Sequence, residues 1–304
     1  MSYAIIFAGQ GSQHSDMMPW LSAEPRAAPA LREMEKYLGG SWRATLEDPL
    51  RRGKNQFAQP LIVGTALAAW ESLKPDLPMS PAVVAGYSVG ELAAFACAGV
   101  IAVQQAIDLA TIRADLMDRA VAGKGCGLLS ISGVPVKWVL DQFRNLSCAI
   151  LFDYDHAVFG ALNADLDVVQ NQLAGGVAVC KRLAIDVASH TPLMTSASEG
   201  FSEVLSSVAF SPPEVAVVTN SQAKVSRRIS ELRTALGGQI CARVDWGSCM
   251  DALAESGVRC VLEIGPKGAL AALWNRRYAA VPARSIEDFQ DSQGAAAWVR
   301  NHAD

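Results

Sequence analysis

The sequence lacks the features of a membrane or secreted protein. Its N-terminal segment MSYAIIFAGQGSQ carries no basic residue, and the apolar run from Ala4 to Ala8 is far shorter than the core of a signal peptide. Nowhere do apolar residues run for the ~18 positions that a transmembrane helix needs. We therefore expect a cytoplasmic protein that has no membrane partner.

Long runs of charge of one sign are also missing. The 26 basic and 30 acidic residues leave a net charge of −4 and are spread along the chain. Nucleic-acid-binding domains usually carry a basic patch or stripe that neutralises phosphates. The charge pattern therefore predicts that nucleic acid is not a partner.

Cysteine is present in an odd number and without a recognisable pattern. No CxxC pair occurs, and no histidine stands at the spacing of a zinc ligand, so neither a disulfide framework nor a metal site is predicted. We interpret most of these cysteines as small buried apolar residues, with a reactive thiol as the alternative. They are Cys97, Cys126, Cys148, Cys180, Cys241, Cys249 and Cys260.

Short apolar runs alternate with helical patterns, which predicts an α/β protein. Tyr3 to Phe7 and Ala82 to Ala85 have the pattern of buried strands, and residues 60–73 between them have helical spacing. A strand, a helix and a strand in that order indicate a parallel sheet. The length of 304 residues allows one or two domains.

Residues 124–188 have a pattern of their own. Their apolar runs predict a strand, a helix, two strands, a helix and a last strand over 177–187, which is the order of a ferredoxin-like unit. We predict that this segment is a small domain inserted into a larger one formed by residues 1–123 and 189–304. In the larger domain, VRCVLEIG at 258–265 is taken as the final strand.

The strongest local signal is Gly86-Tyr87-Ser88-Val89-Gly90, a G-x-S-x-G segment between a predicted strand and a predicted helix. In that context the sharp turn exposes a nucleophilic serine, and the backbone N–H of Val89 faces a developing oxyanion. The alternative is that Ser88 only caps the helix.

A serine nucleophile needs a base, and the chain contains four histidines. His190 follows the predicted small domain and lies downstream of Ser88, as the base does in other enzymes with this turn. We favour it over His14, His156 and His302, with a buried structural histidine as the alternative.

Two further segments could contact a ligand. The glycines around Gln10 in GQGSQ allow the backbone to approach a ligand closely, although an ordinary tight turn has the same composition. Arg113 lies on the apolar face of a predicted helix, where a guanidinium needs an anionic partner. That partner is either a substrate carboxylate or an internal acidic residue.

Five segments in a fixed order resemble the malonyl-CoA:acyl carrier protein transacylase family, over nearly the whole chain. They are FAGQGSQ at 7–13, GYSVGELAAFACAGV at 86–100, Arg113, SHTPLM at 189–194 and LEIGPKGAL at 262–270. The resemblance implies an α/β-hydrolase-like large domain with a parallel sheet and an inserted ferredoxin-like small domain. It also implies that malonyl-CoA is the substrate, that no cofactor is bound permanently, and that the partner is an acyl carrier protein with a phosphopantetheine-type thiol.

The resemblance also implies a role for each candidate residue. Ser88 would be the nucleophile, His190 the base, Arg113 the clamp for the malonyl carboxylate, and Gln10 with the Val89 amide the oxyanion hole. The backbone carbonyl of Gln239 would orient His190, so no acidic third residue is needed.

Several positions depart from the family pattern. The family usually has histidine before the nucleophile and proline before GQGSQ, where this chain has Tyr87 and Ala8, and an N-x-P-x-Q-V-type segment is replaced by DYDHAVFG at 153–160. These features are similar to the transacylase (epsilon) subunit of malonate decarboxylase. The alternatives are a transacylase of fatty acid or polyketide synthesis, a serine hydrolase, and a non-catalytic scaffold.

Acyl carriers are acidic, and this chain is itself negative, so we expect a local basic docking surface. Arg276 and Arg277 are favoured because they follow the LEIGPKGAL segment. The other basic clusters are Arg51-Arg52 with Lys54, and Arg227-Arg228.

Overall fold

The larger of the two sheets has six strands and forms the centre of the large domain. The computed structural model describes residues 2–304. Six strands lie in the order β11-β10-β1-β2-β7-β8, and all neighbours are parallel except the β7–β8 pair. They are β1 (Tyr3–Phe7), β2 (Val83–Gly86), β7 (Ala216–Thr219), β8 (Lys224–Ser226), β10 (Cys260–Ile264) and β11 (Ala283–Ser285).

Strand β11 corrects one expectation, because VRCVLEIG is not the last strand of the large sheet. The three residues Ala283 to Ser285 pair with β10 at the sheet edge. A strand this short, with an arginine at its centre, has no detectable alternation of apolar and polar residues. It forms because the parallel edge of β10 offers hydrogen-bonding groups to the returning chain.

Helices cover both faces of this sheet, so β1 is buried at every position. Tyr3, Ile5 and Phe7 face one apolar cluster, whereas Ala4 and Ile6 face the other, as the two-residue period of a strand requires. The helices are α1 (Ala28–Leu38), α2 (Trp42–Thr45), α3 (Pro49–Arg52), α4 (Asn55–Leu73), α5 (Gly90–Cys97), α6 (Val103–Ala120), α7 (Val136–Gln142), α8 (Asn163–Leu173), α9 (Thr195–Ser207), α10 (Ile229–Gly238), α11 (Trp246–Glu255), α12 (Ala269–Arg277) and α13 (Ser292–His302).

The second sheet has the ferredoxin-like arrangement that the sequence predicts. Its strands lie in the order β6-β3-β5-β4, with α7 and α8 in the two crossovers, and a separate apolar cluster fills the space beneath them. The strands are β3 (Cys126–Ser132), β4 (Ser147–Asp153), β5 (His156–Leu162) and β6 (Val179–Arg182). β6 is shorter at both ends than the strand expected over 177–187. The backbone N–H of Leu183 still donates to the carbonyl of Leu128 in β3, and residues 184–187 lie outside the sheet.

A fifth strand joins this sheet from outside the segment 124–188. The two residues of β9 (Val244–Asp245) pair in parallel with Ile150 and Leu151 of β4. The small sheet is therefore completed by a segment that precedes α11 in the large domain, and a continuous hydrogen-bonded connection joins the two units.

Among residues 2–304, no helix combines the length and the apolar character needed to cross a bilayer. The same residues contain no group of three or more His, Cys, Asp or Glu side chains arranged to hold a metal ion. The cytoplasmic location expected from the sequence stays a prediction.

Candidate active site

The turn between β2 and α5 places Ser88 in a left-handed backbone conformation with φ of 55°. This conformation is strained for a residue with a side chain. A Cβ on Gly86 would lie 2.1 Å from the carbonyl oxygen of Gly90, and a Cβ on Gly90 would lie 2.5 Å from that of Ala8. Both glycines are therefore required sterically for the turn that presents the serine.

Asn220, the residue directly after β7, stabilises this turn by hydrogen bonds to two of its backbone groups. Its Oδ1 accepts a hydrogen bond from the backbone N–H of Ser88 at 2.8 Å, and its Nδ2 donates to the carbonyl of Gly86 at 2.6 Å. The carboxylate of Glu91 in turn accepts from the backbone N–H of Asn220 at 2.8 Å. Sequence reasoning missed Asn220, although a polar residue directly after a buried parallel strand was an available signal.

His190 lies next to the serine. Its Nε2 is 2.8 Å from the Ser88 Oγ, and its Nδ1 is 2.6 Å from the backbone carbonyl oxygen of Gln239. A carbonyl can only accept, so Nδ1 carries the proton and Nε2 is free to accept from the serine hydroxyl. His190, also at positive φ (63°), is held further by its backbone N–H, which donates to the carbonyl of Ile240.

Burial keeps this imidazole neutral. Desolvation, with the nearby charge of Arg113, lowers the pKa of His190 to about 3, against the opposing effect of the Gln239 carbonyl. The other three histidines lie elsewhere: His14 contacts Glu287, His156 stacks on Phe152, and His302 stacks on Trp298.

Arg113 projects from α6 toward the serine and is only 1% exposed. Its Nη1 donates to Gln59 Oε1 at 2.7 Å, and its Nη2 donates to Gln239 Oε1 at 3.3 Å and reaches Ser88 Oγ at 3.5 Å. In residues 2–304 no carboxylate lies within 4.0 Å of the guanidinium, and the buried Nε makes no hydrogen bond. The internal ion pair considered above is therefore not formed, and burial lowers the pKa of Arg113 to about 10.

The loop after β1 lies on the other side of the serine. The Gln10 side chain donates to the carbonyl of Gly53 at 2.9 Å, and Gln13 donates to that of Arg52 at 2.8 Å. Because the side-chain amide of Gln10 is engaged in this way, its backbone N–H is the group left to contact a ligand. Gln10 and Val89 both line the same cavity as Ser88.

That cavity has a volume of about 50 Å³ and lies between the two domains. The large domain contributes its polar wall, and residues 124–188 contribute aliphatic side chains only. The lining residues are Gln10, Asn55, Gln59, Tyr87, Ser88, Val89, Arg113, Met117 and Ser189 on the first side and Leu128, Ile150, Leu183, Ile185 and Val187 on the second.

Tyr87, where the family pattern has histidine, lines this cavity and packs against two aromatic side chains. Its ring stacks on Phe152 with centroids 6.0 Å apart and meets the edge of Trp246 at 5.2 Å. Phe152 also lines an open interdomain cavity of about 580 Å³. The replaced segment 153–160 forms the turn between β4 and β5 and most of β5, at the border of this cavity.

The two arginines expected to bind a carrier line the same interdomain cavity but differ in their contacts. Arg277 forms a bidentate ion pair with Asp251, at 2.8 Å and 2.9 Å. Arg276 is exposed and makes no ion pair in the part of the chain that the structure covers. Only Arg276 is therefore available to an incoming anion without loss of an internal contact.

Comparison with known proteins places this geometry among acyl transferases. The model of a family described as "Acyl transferase domain" matches residues 4–304. A malonyl CoA-acyl carrier protein transacylase of Mycobacterium bovis is 30% identical, with 95% of this chain and 97% of that protein covered. The solved malonyl-CoA:acyl carrier protein transacylase of Xanthomonas oryzae pv. oryzae is 26% identical with a TM-score of 0.89, and both chains are covered completely.

A third match is a structure of a type II PKS acyl-carrier protein in complex with its malonyl-transacylase. It is 27% identical with a TM-score of 0.87, and 98% of each chain is covered.

Proposed function

Because the chain belongs to the acyl transferase family, we propose that it transfers a malonyl group from malonyl-CoA, through an ester on Ser88, to the thiol of an acyl carrier protein. The names of the related proteins support the malonyl group and the carrier. The arrangement of Ser88, His190 and Arg113 supports the chemistry.

In the first half-reaction, His190 Nε2 takes the proton of the Ser88 hydroxyl as Oγ attacks the thioester carbonyl. The backbone N–H groups of Gln10 and Val89 stabilise the oxyanion of the tetrahedral intermediate. Its collapse breaks the carbon–sulfur bond, and the CoA thiolate leaves with the proton from His190. In the second half-reaction the carrier thiol gives its proton to His190 and attacks the malonyl ester, and Ser88 recovers its proton.

The observation that carries the malonyl assignment is the state of Arg113. A guanidinium that is 1% exposed, with an unsatisfied Nε and no carboxylate partner among residues 2–304, lies 3.5 Å from the nucleophile. A malonyl carboxylate would supply the missing anion, whereas an acetyl group would leave the charge unpaired at a cost of about 1–3 kcal/mol or more.

We further propose that the carrier is the carrier subunit of malonate decarboxylase. This finer assignment is supported by Tyr87 in the nucleophile turn, which lines the cavity at Ser88, and by the altered segment 153–160, which borders the interdomain cavity. The competing assignment is a carrier of fatty acid or polyketide synthesis, which the names of the relatives favour. Transfer rates to purified carriers of both kinds decide between them.

The function itself is tested by intact-mass measurement after incubation with malonyl-CoA and no carrier. We expect the wild-type chain to gain one malonyl group, and Ser88→Ala to gain none. An equal gain in both proteins, or an adduct that maps to a cysteine, would show that the proposed mechanism is wrong.

A further inference from the structure

The carboxylate of Glu287 joins two loops of the large domain. Glu287 belongs to a short 3-10 helix, Ile286–Asp288, directly after the edge strand β11. Its Oε1 accepts from the backbone N–H of Met18 at 3.0 Å. Its Oε2 accepts from the backbone N–H of Lys267 at 2.7 Å and from Nε2 of His14 at 3.2 Å. Donors from two separate loops therefore converge on one side chain, which is 16% exposed.

The loop that begins at Gly265 packs against the start of the segment 9–13, which contains Gln10. Ala8, the residue before this segment, donates its backbone N–H to the carbonyl of Ile264 at 3.0 Å. A Cβ on Gly265 would lie 2.2 Å from the Cβ of Ala8, so the glycine backbone is in direct contact with Ala8. The position of this loop therefore determines where the segment 9–13 begins.

The second loop continues from the far end of the same segment. Within the segment, the side chains of Gln10 and Gln13 bond to the turn at 52–53, whose residues are exposed or half-buried. Ile286, beside Glu287, is completely buried. The carboxylate is therefore held more firmly than that turn, since buried apolar contacts resist local opening.

The direction of the Gln10 N–H matters for the reaction. An oxyanion hole accelerates acyl transfer because its donors already point at the position where negative charge develops. A displacement of about 1 Å in a positioned group can cost about a hundredfold in rate. A side chain that fixes the loops at both ends of the segment 9–13 is therefore placed to control how this N–H is directed.

We propose that Glu287 is a positioning residue that holds the backbone N–H of Gln10 in the oxyanion hole by fixing the loops on both sides of the segment 9–13. The inference deepens the proposed function and rests on it. It assigns a part in catalysis to a side chain that acts on the acyl group through the backbone of another residue.

The first test compares Glu287→Ala with the wild type in the acylation of Ser88 by malonyl-CoA. We expect kcat to fall by about tenfold, with KM changed by less than about twofold. The loss is smaller than for a removed donor, because Arg43 still donates to three carbonyls of the loop 15–18. Acetyl-CoA should show the same loss, since both substrates present the same thioester carbonyl.

A second measurement reports on the hydrogen bond itself. Malonyl-CoA that carries ¹³C at the thioester carbonyl gives a labelled ester on Ser88, and hydrogen bonds to the ester oxygen lower the frequency of its infrared carbonyl band. In Glu287→Ala we expect this band to shift to higher frequency, because the Gln10 N–H is displaced from the oxygen. A loss of stability alone would not move the band.

Asp288→Ala is the matched control. Asp288 is the next residue of the same 3-10 helix, and its carboxylate accepts from the backbone N–H of Ser285 and from Nε of Arg284, both at 3.1 Å. Across residues 2–304 it has no hydrogen bond to either loop. We therefore expect a lower melting temperature, with the acylation rate and the ester band of the wild type.

Glu287→Gln is the conservative variant. It keeps one acceptor oxygen, so both kcat and the ester band should lie between those of the wild type and Glu287→Ala. If Glu287→Ala does not fold, as judged by its melting curve, the same two measurements on Glu287→Gln decide the question. A folded Glu287 variant with the wild-type rate and band, or an equal effect of Asp288→Ala, overturns the inference.

Failure of the proposed function has a different signature. The wild-type chain would then not be malonylated, and no labelled ester band would appear, so both proposals would be wrong. An ester that forms in the wild type and in Glu287→Ala with the same carbonyl frequency contradicts only the role of Glu287.

Discussion

The two walls of the site cavity differ in chemistry. The large domain supplies the Ser88 hydroxyl and, near it, the imidazole of His190 and the guanidinium of Arg113. The small domain contributes only aliphatic side chains, which are Leu128, Ile150, Leu183, Ile185 and Val187. An apolar wall cannot react, but it removes water and strengthens the electrostatic interactions on the opposite side. The division suggests that acyl-group choice and chemistry reside in one domain, and that the other domain supplies the low-dielectric surroundings.

Replacement of Arg113 by alanine should change the transfer rates more than substitutions in the apolar wall or at the rim of the interdomain cavity. We expect malonyl transfer to fall by about a hundredfold or more, since a charge-assisted contact to the substrate is lost. Acetyl transfer should fall less, or rise, because the buried charge no longer has to be accommodated. Rates with malonyl-CoA and acetyl-CoA measure the difference, and equal losses on both substrates would contradict the clamp.

On the apolar wall, Leu183→Ala should lower acylation by both substrates to the same extent. The removed methyl groups contribute about 1–2 kcal/mol of contact at a half-buried position, which corresponds to roughly a fivefold to thirtyfold loss. Leu162→Ala, in the same domain but 42% exposed and outside the cavity, is the control and should behave as the wild type. A tenfold change in the malonyl-to-acetyl ratio in Leu183→Ala would show that the small domain also selects the acyl group.

At the rim of the interdomain cavity, Arg276→Glu should affect the carrier but not the first half-reaction. We expect carrier transfer to slow by about threefold to tenfold at low salt, with a flatter salt dependence, because exposed charges act mainly on association. Self-malonylation of Ser88 should be unchanged. Arg32→Glu on α1 matches the charge change at an exposed position outside both cavities, and equal effects of the two variants would place carrier docking elsewhere.

The smallest expected change concerns pH. Because the pKa of His190 is lowered to about 3, the base stays unprotonated and the rate of Ser88 acylation should vary by less than about twofold between pH 7 and pH 5. For stability the contributions oppose each other: His190 destabilises the fold as the pH drops below 6.5, because the unfolded chain takes up a proton there and the folded chain does not. Glu91 and Glu263, whose pKa values burial raises to about 8, stabilise the fold over the same range, because their carboxyls are protonated first in the folded chain. An inflection of the rate near pH 6.5 would contradict the buried neutral base.

Candidate site residues that lie at a turn or on a patterned helix could be identified from the sequence. Ser88 follows from the glycines around it and the strand before it, and Arg113 from a charge on an apolar helix face. The ferredoxin-like order of residues 126–182 follows from local periodicity, and the structure confirms it.

The groups that support these residues could not be found in the same way. Asn220 is 132 residues from Ser88, and Gln59 is 54 from Arg113, so their contacts depend on the packing of separate elements. Strand β9 is two residues long and forms only because β4 offers a free edge. Local patterns contain no information about such pairings, which tertiary structure decides.

The pairing of β9 with β4 bears on how the two units could be exchanged between related proteins. A chimera that replaces only residues 124–188 would join a foreign β4 to the resident Val244 and Asp245, and the backbone bonds would form only if the register matched. The insert is therefore not an independent module, although its chain segment is continuous. Recombination that moves residues 244–245 together with 124–188 would transfer the complete five-stranded sheet. Recombination at the two ends of 124–188 alone would leave the edge strand β9 behind.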